Sequence, residues 1–218
     1  MSTRPPRRTP LSRASVLEAA LRVIDERGLD ACTMRAVAAS LGVEAMSLYH
    51  HVEGKDALLD GVVELVLAEL EPTSDGSGWR EGLAGFAHRY RDLLRRHPNV
   101  VPLLASRPAV GYAAAARVAA PGLASSEAAG FDRRTAIRAA RTITRYVVGF
   151  ALAESAGPPA APPEARDGRD PAIAALLEAL ASDSPDELFA FGLDTLLDGL
   201  AARLSRSQGA GAPPAPPA

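Results

Sequence analysis

Residues 46–60 read Met-Ser-Leu-Tyr-His-His-Val-Glu-Gly-Lys-Asp-Ala-Leu-Leu-Asp. Within ten positions they gather a hydroxyl, a phenol, two imidazoles and the single lysine of the chain. Three chemistries could use such a set. A metal site is the poorest fit, because His50 and His51 are adjacent in sequence. Neighbouring helical residues point about 100° apart, so the pair cannot close on one ion as an i, i+4 pair can. Acid–base or nucleophilic catalysis needs a nucleophile and an orienting partner for the base, and neither accompanies these histidines. The third option is a surface that touches another molecule, and the surrounding elements favour it.

Those elements are helical almost throughout. Leu17, Ala20, Leu21 and Ile24 recur at helical spacing, with Ser12 as N-cap and Gly28 as stop. Thr33 caps a helix over Met34–Leu41 that Gly42 ends, and a short helix over Ala45–His51 follows. Two short helices around a Gly42-Val43-Glu44 turn are a helix-turn-helix pattern, in which the second helix enters the DNA major groove. Val37, Leu41, Val43 and Leu48 would pack inward, leaving Ala45, Met46, Ser47, Tyr49, His50 and His51 on the outer faces. Hydroxyl, phenol, imidazole and small or soft apolar groups suit base edges and thymine methyls. A long helix over Lys55–Glu71 comes next. Further helices fit Trp79–Arg96, Val101–Ala105, Ala109–Ala129, Asp132–Ser155, Pro171–Ala181 and Pro185–Ser205. Strand-like alternation is missing, so the expected class is all-α.

The chain of 218 residues can bury a core without staples. Its lone Cys32 excludes an intramolecular disulfide and fits a reducing compartment. A net charge of −2 argues against indiscriminate coating of nucleic acid, though a local basic face remains possible. No signal-peptide pattern and no apolar run of about 18 residues occurs, so the expected location is cytoplasmic, with no membrane partner. Composition divides the chain into a disordered basic arm (1–11), a DNA-binding domain (12–60), a larger domain (61–206) and a disordered tail (207–218). Within the larger domain, 73–78 reads as a turn and 157–171 as a mobile Pro-rich loop.

The stretch from Leu11 to Asp60 resembles the DNA-binding domain of the tetracycline-repressor (TetR) family. The resemblance rests on Gly28-Leu29, Thr33-Met34-Arg35, Leu41-Gly42-Val43, Leu48-Tyr49-His50-His51-Val52 and Lys55 before Ala57-Leu58-Leu59-Asp60. It departs at His50, where the family often has tryptophan or another aromatic. It implies phosphate contacts from Thr33 and Lys55 at helix N-termini, and Tyr49 and His51 as clamps of the same kind. Arg35, Ala45, Met46, Ser47 and His50 are the base-edge candidates, with Arg35 able to bind a guanine bidentately. Glu44 could accept from a cytosine amine or serve the turn.

The resemblance continues through Trp79-Arg80-Glu81-Gly82-Leu83 and Leu188–Leu204 into the regulatory domain of the same class, implying a homodimer that binds a small-molecule effector. Leu188, Phe189, Phe191, Leu193, Leu196, Leu197, Leu200 and Leu204 make the late helix apolar nearly all round, which calls for burial on every side. Asp132–Ser155 offers a second such helix, and Gly149 and Gly192 would allow close approach. Together the two helices from two subunits would form the dimer interface; ordinary core is the plainer reading. Tetracycline-binding members carry a His-Leu-Gly-Thr-Arg-Pro turn whose histidine ligates magnesium. Here the turn is Leu103-Leu104-Ala105-Ser106-Arg107-Pro108, with Glu71 and Phe86 at two further drug-contacting positions. Leucine does not bind magnesium and phenylalanine does not replace an amide, so no metal and no cofactor is expected. The candidate effector site is Phe86, Tyr90, Leu103, Leu104, Arg107 and Phe150, an apolar cavity whose polar end His88, Arg107, Arg141 or Arg145 would orient.

The rival from another class is a helical enzyme or cofactor-binding protein with a DNA-like N-terminal bundle. It lacks a catalytic constellation, a phosphate loop and a metal spacing. A helical adaptor that binds protein is disfavoured by the arginine-bearing arm with Thr33, Arg35, Tyr49 and Lys55. DNA retention that weakens steeply with salt separates the regulator from both.

Overall fold

The computed structural model describes residues 10–72, 78–107, 111–157, 173, 175 and 182–210, and every regular element among them is helical. The helices are α1 (Arg13–Arg27), α2 (Met34–Leu41), α3 (Ala45–Leu48), α4 (Lys55–Ala68), α5 (Trp79–Arg96), α6 (Val101–Ser106), α7 (Ala113–Ala128), α8 (Arg133–Ser155) and α9 (Pro185–Ala210). Among them, none is long and apolar enough to cross a membrane. The expected turn at 73–78 lies outside the described residues except for Gly78, as do the 157–171 loop after Gly157, nearly all of the 171–181 helix, and residues 1–9 and 211–218.

The chain forms two compact units. One holds residues up to Glu69 with Asn99–Ala115; the other holds Leu70–Pro98 and the chain from Ala116 on. The sequence-based cut at residue 60 therefore differs from this grouping. Most of α4 and all of α6 belong with the helix-turn-helix.

In the first unit, α1 packs on α2 and α4. Ser12 opens α1 with a reciprocal cap: its Oγ accepts the Ser15 N–H at 3.2 Å, and its own N–H donates to Ser15 Oγ at 2.9 Å. Val16, Ala19, Ala20 and Ile24 of α1 are fully buried, as are Val37, Leu48, Leu58 and Val62 of the helices around it. Gly61 lets α4 approach α1: a Cβ added there would lie 2.4 Å from Leu17 Cδ2. In the second unit α5 packs along α8, and α9 covers both. Tyr146 of α8 lies over Gly192 of α9, where an added Cβ would meet its hydroxyl at 2.4 Å, and that hydroxyl donates to the Phe189 carbonyl at 2.8 Å.

Several helix ends differ from expectation. The helix from Ala45 stops at Leu48, because Tyr49 and His51 donate to carbonyls only three residues back, tightening the last turn. α4 ends at Ala68 rather than Glu71; Pro72 disfavours helical backbone in the residue before it. α6 runs one residue further, to Ser106, and α7 starts at Ala113, after Gly111 at φ +108°. α9 continues to Ala210, so 207–210 is helix rather than tail; the Gln208 side chain donates to the Ala129 carbonyl at 3.2 Å and holds the last turns.

Gly61→Val should lower stability by roughly 1–3 kcal/mol through overpacking against Leu17. In a Leu17→Ala background the loss should shrink, as read by urea unfolding. An equal loss in both backgrounds would show that this contact does not set the α1–α4 approach.

Candidate nucleic-acid interface

The turn between α2 and α3 is built by Gly42 in the left-handed conformation (φ +65°). Val43 N–H donates to Ala38 O at 3.0 Å and Gly42 N–H to Ala39 O at 3.1 Å, a Schellman closure that spends the free carbonyls of α2. Leu48 is fully buried and anchors α3, with Leu41 and Val43 half-buried beside the turn. A four-residue helix has too few internal bonds to hold itself, so tertiary packing through Leu48 positions it. Met46 (71% exposed) and Tyr49 (48%) are among the most exposed large apolar side chains, and His50 is exposed beside them. Ala45, Ser47 and His51 are half-buried.

Arg35 projects from the exposed side of α2. Thr33 Oγ1 accepts the Ala36 N–H at 3.1 Å, which leaves its hydroxyl proton free to donate to an oxygen outside the helix. Lys55 is exposed at the first position of α4. Glu44 makes no side-chain cap to α3, so of its two expected roles the helix-capping one has no bond behind it.

Behind this face stands a polar tie that sequence reading missed. Asp56, Asp60 and Glu64 recur one turn apart on α4 and engage Arg107, Tyr112 and Ala114. Arg107 donates through Nη2 to Asp56 Oδ1 at 2.7 Å and through Nη1 to Asp60 Oδ1. The Tyr112 hydroxyl donates to Asp60 Oδ1 at 2.8 Å, and the Ala114 N–H, near the start of α7, to Glu64 Oε1 at 2.9 Å. Glu64 Oε2 is buried with no hydrogen-bond partner among the described residues. The i, i+4, i+8 spacing was visible in the sequence, but a row of acids on one helix face reads equally as a solvated face.

The predicted effector residues divide between the units. Leu103 and Leu104 are buried in the first, where Arg107 is committed to Asp56 and Asp60. In the second, Phe86 and buried Tyr90 stack at 5.6 Å between centroids, and burial pushes the Tyr90 phenol pKa well up. Phe150 stands elsewhere in that unit, edge-on to Phe189 at 5.1 Å, with Arg91 lying 4.4 Å from the Phe189 centroid and 5.1 Å from that of Phe150. Arg91 is 4% exposed, and Glu154 takes it bidentately at 3.0 and 2.7 Å while Asp186 sits at 2.9 Å. The hydrogen bonds to Glu154 raise its pKa against the cost of burial, and Asp186 adds to them. A cleft of about 250 Å³ beside it is lined by Leu94, Arg95, Pro98, Ala151, Glu154 and Ser155, none of them in the predicted set. His88, Arg141 and Arg145 are exposed rather than aimed into a cavity.

The tie on α4 responds to acid. The bond from Tyr112 lowers the Asp60 pKa, burial opposes it, and Arg107 lowers it further. A depressed carboxylate contributes stability above its unfolded value, about 3.9, and loses it as pH falls through the folded value. Asp60→Asn should therefore be less stable than the parent at neutral pH, by a modest margin since the side chain is 48% exposed. The gap should close below about pH 4 in urea titrations. A gap that persisted unchanged into acid would contradict the charge-based tie.

Comparison with known proteins agrees with this geometry. Residues 16–62 match the family described as bacterial regulatory proteins, tetR family, and residues 71–204 match the tetracyclin repressor-like C-terminal domain. The class A tetracycline repressor protein from transposon 1721 of Escherichia coli is 34% identical over 212 residues, spanning 89% of this chain and 93% of its own. The HTH-type transcriptional repressor DrrR1 of Streptomyces coeruleorubidus is 33% identical over 218 residues, spanning 91% and 80%. The crystal structure of the Streptomyces coelicolor TetR family protein ActR in complex with (S)-DNPA superposes with a TM-score of 0.76 at 25% identity, covering 90% of this chain and 100% of that one. The chain belongs to the TetR family of bacterial regulatory proteins: it is a DNA-binding transcriptional regulator and not an enzyme.

Proposed function

We propose that the protein is a cytoplasmic, ligand-responsive repressor that binds a pseudo-palindromic operator as a homodimer and leaves it when a small, largely apolar effector binds. The observation that carries this reading is the exposed face of α2, α3 and the start of α4. There Arg35, Met46, Tyr49, His50 and Lys55 stand clear of a core anchored by Leu48. Thr33, Tyr49, His51 and Lys55 hold phosphates; Arg35, Ala45, Met46, Ser47 and His50 read base edges. Two such faces must reach half-sites about one DNA turn apart, roughly 34–36 Å.

The dimer reading is supported by α8 and α9, where Leu188 (52%) and Phe191 (72%) are exposed. Gly149 has open space where a Cβ would stand, which leaves room for a neighbouring helix. The effector reading draws on relatives: ActR is known bound to (S)-DNPA. Release requires a ligand that favours the DNA-incompetent arrangement, since equal affinity for both states shifts nothing. The tie between α4 and residues 107–114 is the lever. An effector that displaces that segment pulls on Asp56, Asp60 and Glu64, moves Lys55 at the head of the same helix, and takes the two recognition helices out of register.

On an operator obtained by selection, Lys55→Ala should weaken cognate and unrelated duplexes alike, because phosphates carry no base information. Arg35→Ala should cost roughly 1–3 kcal/mol on the operator and relax preference at one position. The reverse pattern would show the two roles misassigned. Tetracycline with magnesium should not release the protein in a gel-shift titration, because buried Leu103 stands where a metal-ligating imidazole would be needed. Release that EDTA abolishes would overturn the metal-free effector reading.

A further inference from the structure

We propose that self-association of this chain is keyed by charge, the arginine row of α8 pairing with Asp194 and Asp198 on α9 of a second copy. This rests on the homodimer reading and names what selects the partner.

Arg134, Arg138, Arg141 and Arg145 are spaced i, i+4, i+7 and i+11, so they share one face of α8. That face lies opposite the buried positions Ala136, Ala139, Ile143 and Val147. All four arginines are exposed, and none forms an ion pair with another described residue. Like charges one turn apart disfavour a helix, so the row is a local cost that a facing row of carboxylates removes.

The complement stands on α9. Asp194 and Asp198 are one turn apart and share a single cation, Arg80 Nη2, at 3.8 and 2.8 Å. Two carboxylates on one guanidinium leave a net negative site, and their side chains remain 69% and 72% exposed. Both rows border uncovered apolar residues, Ile137 and Leu152 on α8, Leu188 and Phe191 on α9. An apolar centre with a charged rim is the anatomy of a protein interface. α8 and α9 already lie side by side within the chain through Tyr146 and Gly192. A two-fold axis that lays α8 of one copy against α9 of the other therefore makes every pairing twice. A second copy is favoured over a nucleic acid as the occupant, because the chain itself carries the matching carboxylates, Asp194 and Asp198.

The test uses the full chain in sedimentation equilibrium. The parent should dimerise, with a dissociation constant that rises between about 0.05 and about 0.5 M salt as exposed charges are screened. R141E/R145E and D194R/D198R should each dimerise more weakly by roughly tenfold or more, since like charges then face each other. Mixed in equal amounts, the two variants should form a heterodimer of near-parental affinity, because every pair is opposite in sign again. Unchanged helical circular dichroism of each variant would show that the fold is intact. A parent that stays monomeric defeats the dimer reading itself. A dimeric parent whose R141E/R145E variant dimerises normally, or variants that fail to rescue each other, overturns the charge key alone. Retained dimerisation with lost binding to a non-operator duplex assigns the row to nucleic acid instead.

Discussion

The carboxylates of Asp56, Asp60 and Glu64 stand one turn apart on α4, and each accepts a hydrogen bond from residues 107–114. That helix joins the recognition face to its polar tie. Its first residue is the lysine exposed next to the recognition helix, its buried side packs on α1 through Gly61, and its polar side is fixed to Arg107, Tyr112 and Ala114. Four hydrogen bonds orient that polar side toward Arg107, Tyr112 and Ala114. Glu64 has one oxygen bonded to the Ala114 N–H, and its other oxygen is buried with no hydrogen-bond partner among the described residues.

The second unit is held by a different kind of constraint. Arg91 is a buried cation, and burying an unpaired charge is costly. It is retained because Glu154 and Asp186 neutralise it and Phe150 and Phe189 present their ring faces to it. The node ties α5, α8 and the start of α9 together through one guanidinium. This arrangement also sets which faces of α8 and α9 remain bare. The exposure of Leu188 and Phe191 follows from the placement of Phe189, Leu193 and Leu197 in the core.

The helix-turn-helix was legible because its signals are local. Ser12, Thr33 and Gly42 each cap or stop a helix within a few residues of themselves, and the structure places every one of these caps as expected. Boundaries failed where the deciding contact is distant or subtle: Gln208 extends α9 by reaching Ala129, and Tyr49 leaves the helix through a tightened turn. The pairing of Arg107 with Asp56 and Asp60, and of Arg91 with Glu154, spans roughly fifty residues or more, and no periodicity reports such a contact. Arg107 was therefore grouped with the effector candidates by its place in a turn. Its three-dimensional partners lie on α4. Phe86, Tyr90 and Phe150 show the same difficulty in reverse, since an aromatic at helical spacing lines a cavity or fills a core with the same pattern.

The central claim is that the α2–α3 face reads duplex DNA as one half of a symmetric pair. Selection of binding sites from a random duplex pool, followed by a salt titration of the enriched sequence, tests it most directly. The account predicts an inverted repeat with half-sites about one turn apart, bound with an affinity that falls linearly in log–log terms as salt rises. Enrichment of no sequence, or of a single unrepeated site bound equally well at high salt, would contradict it.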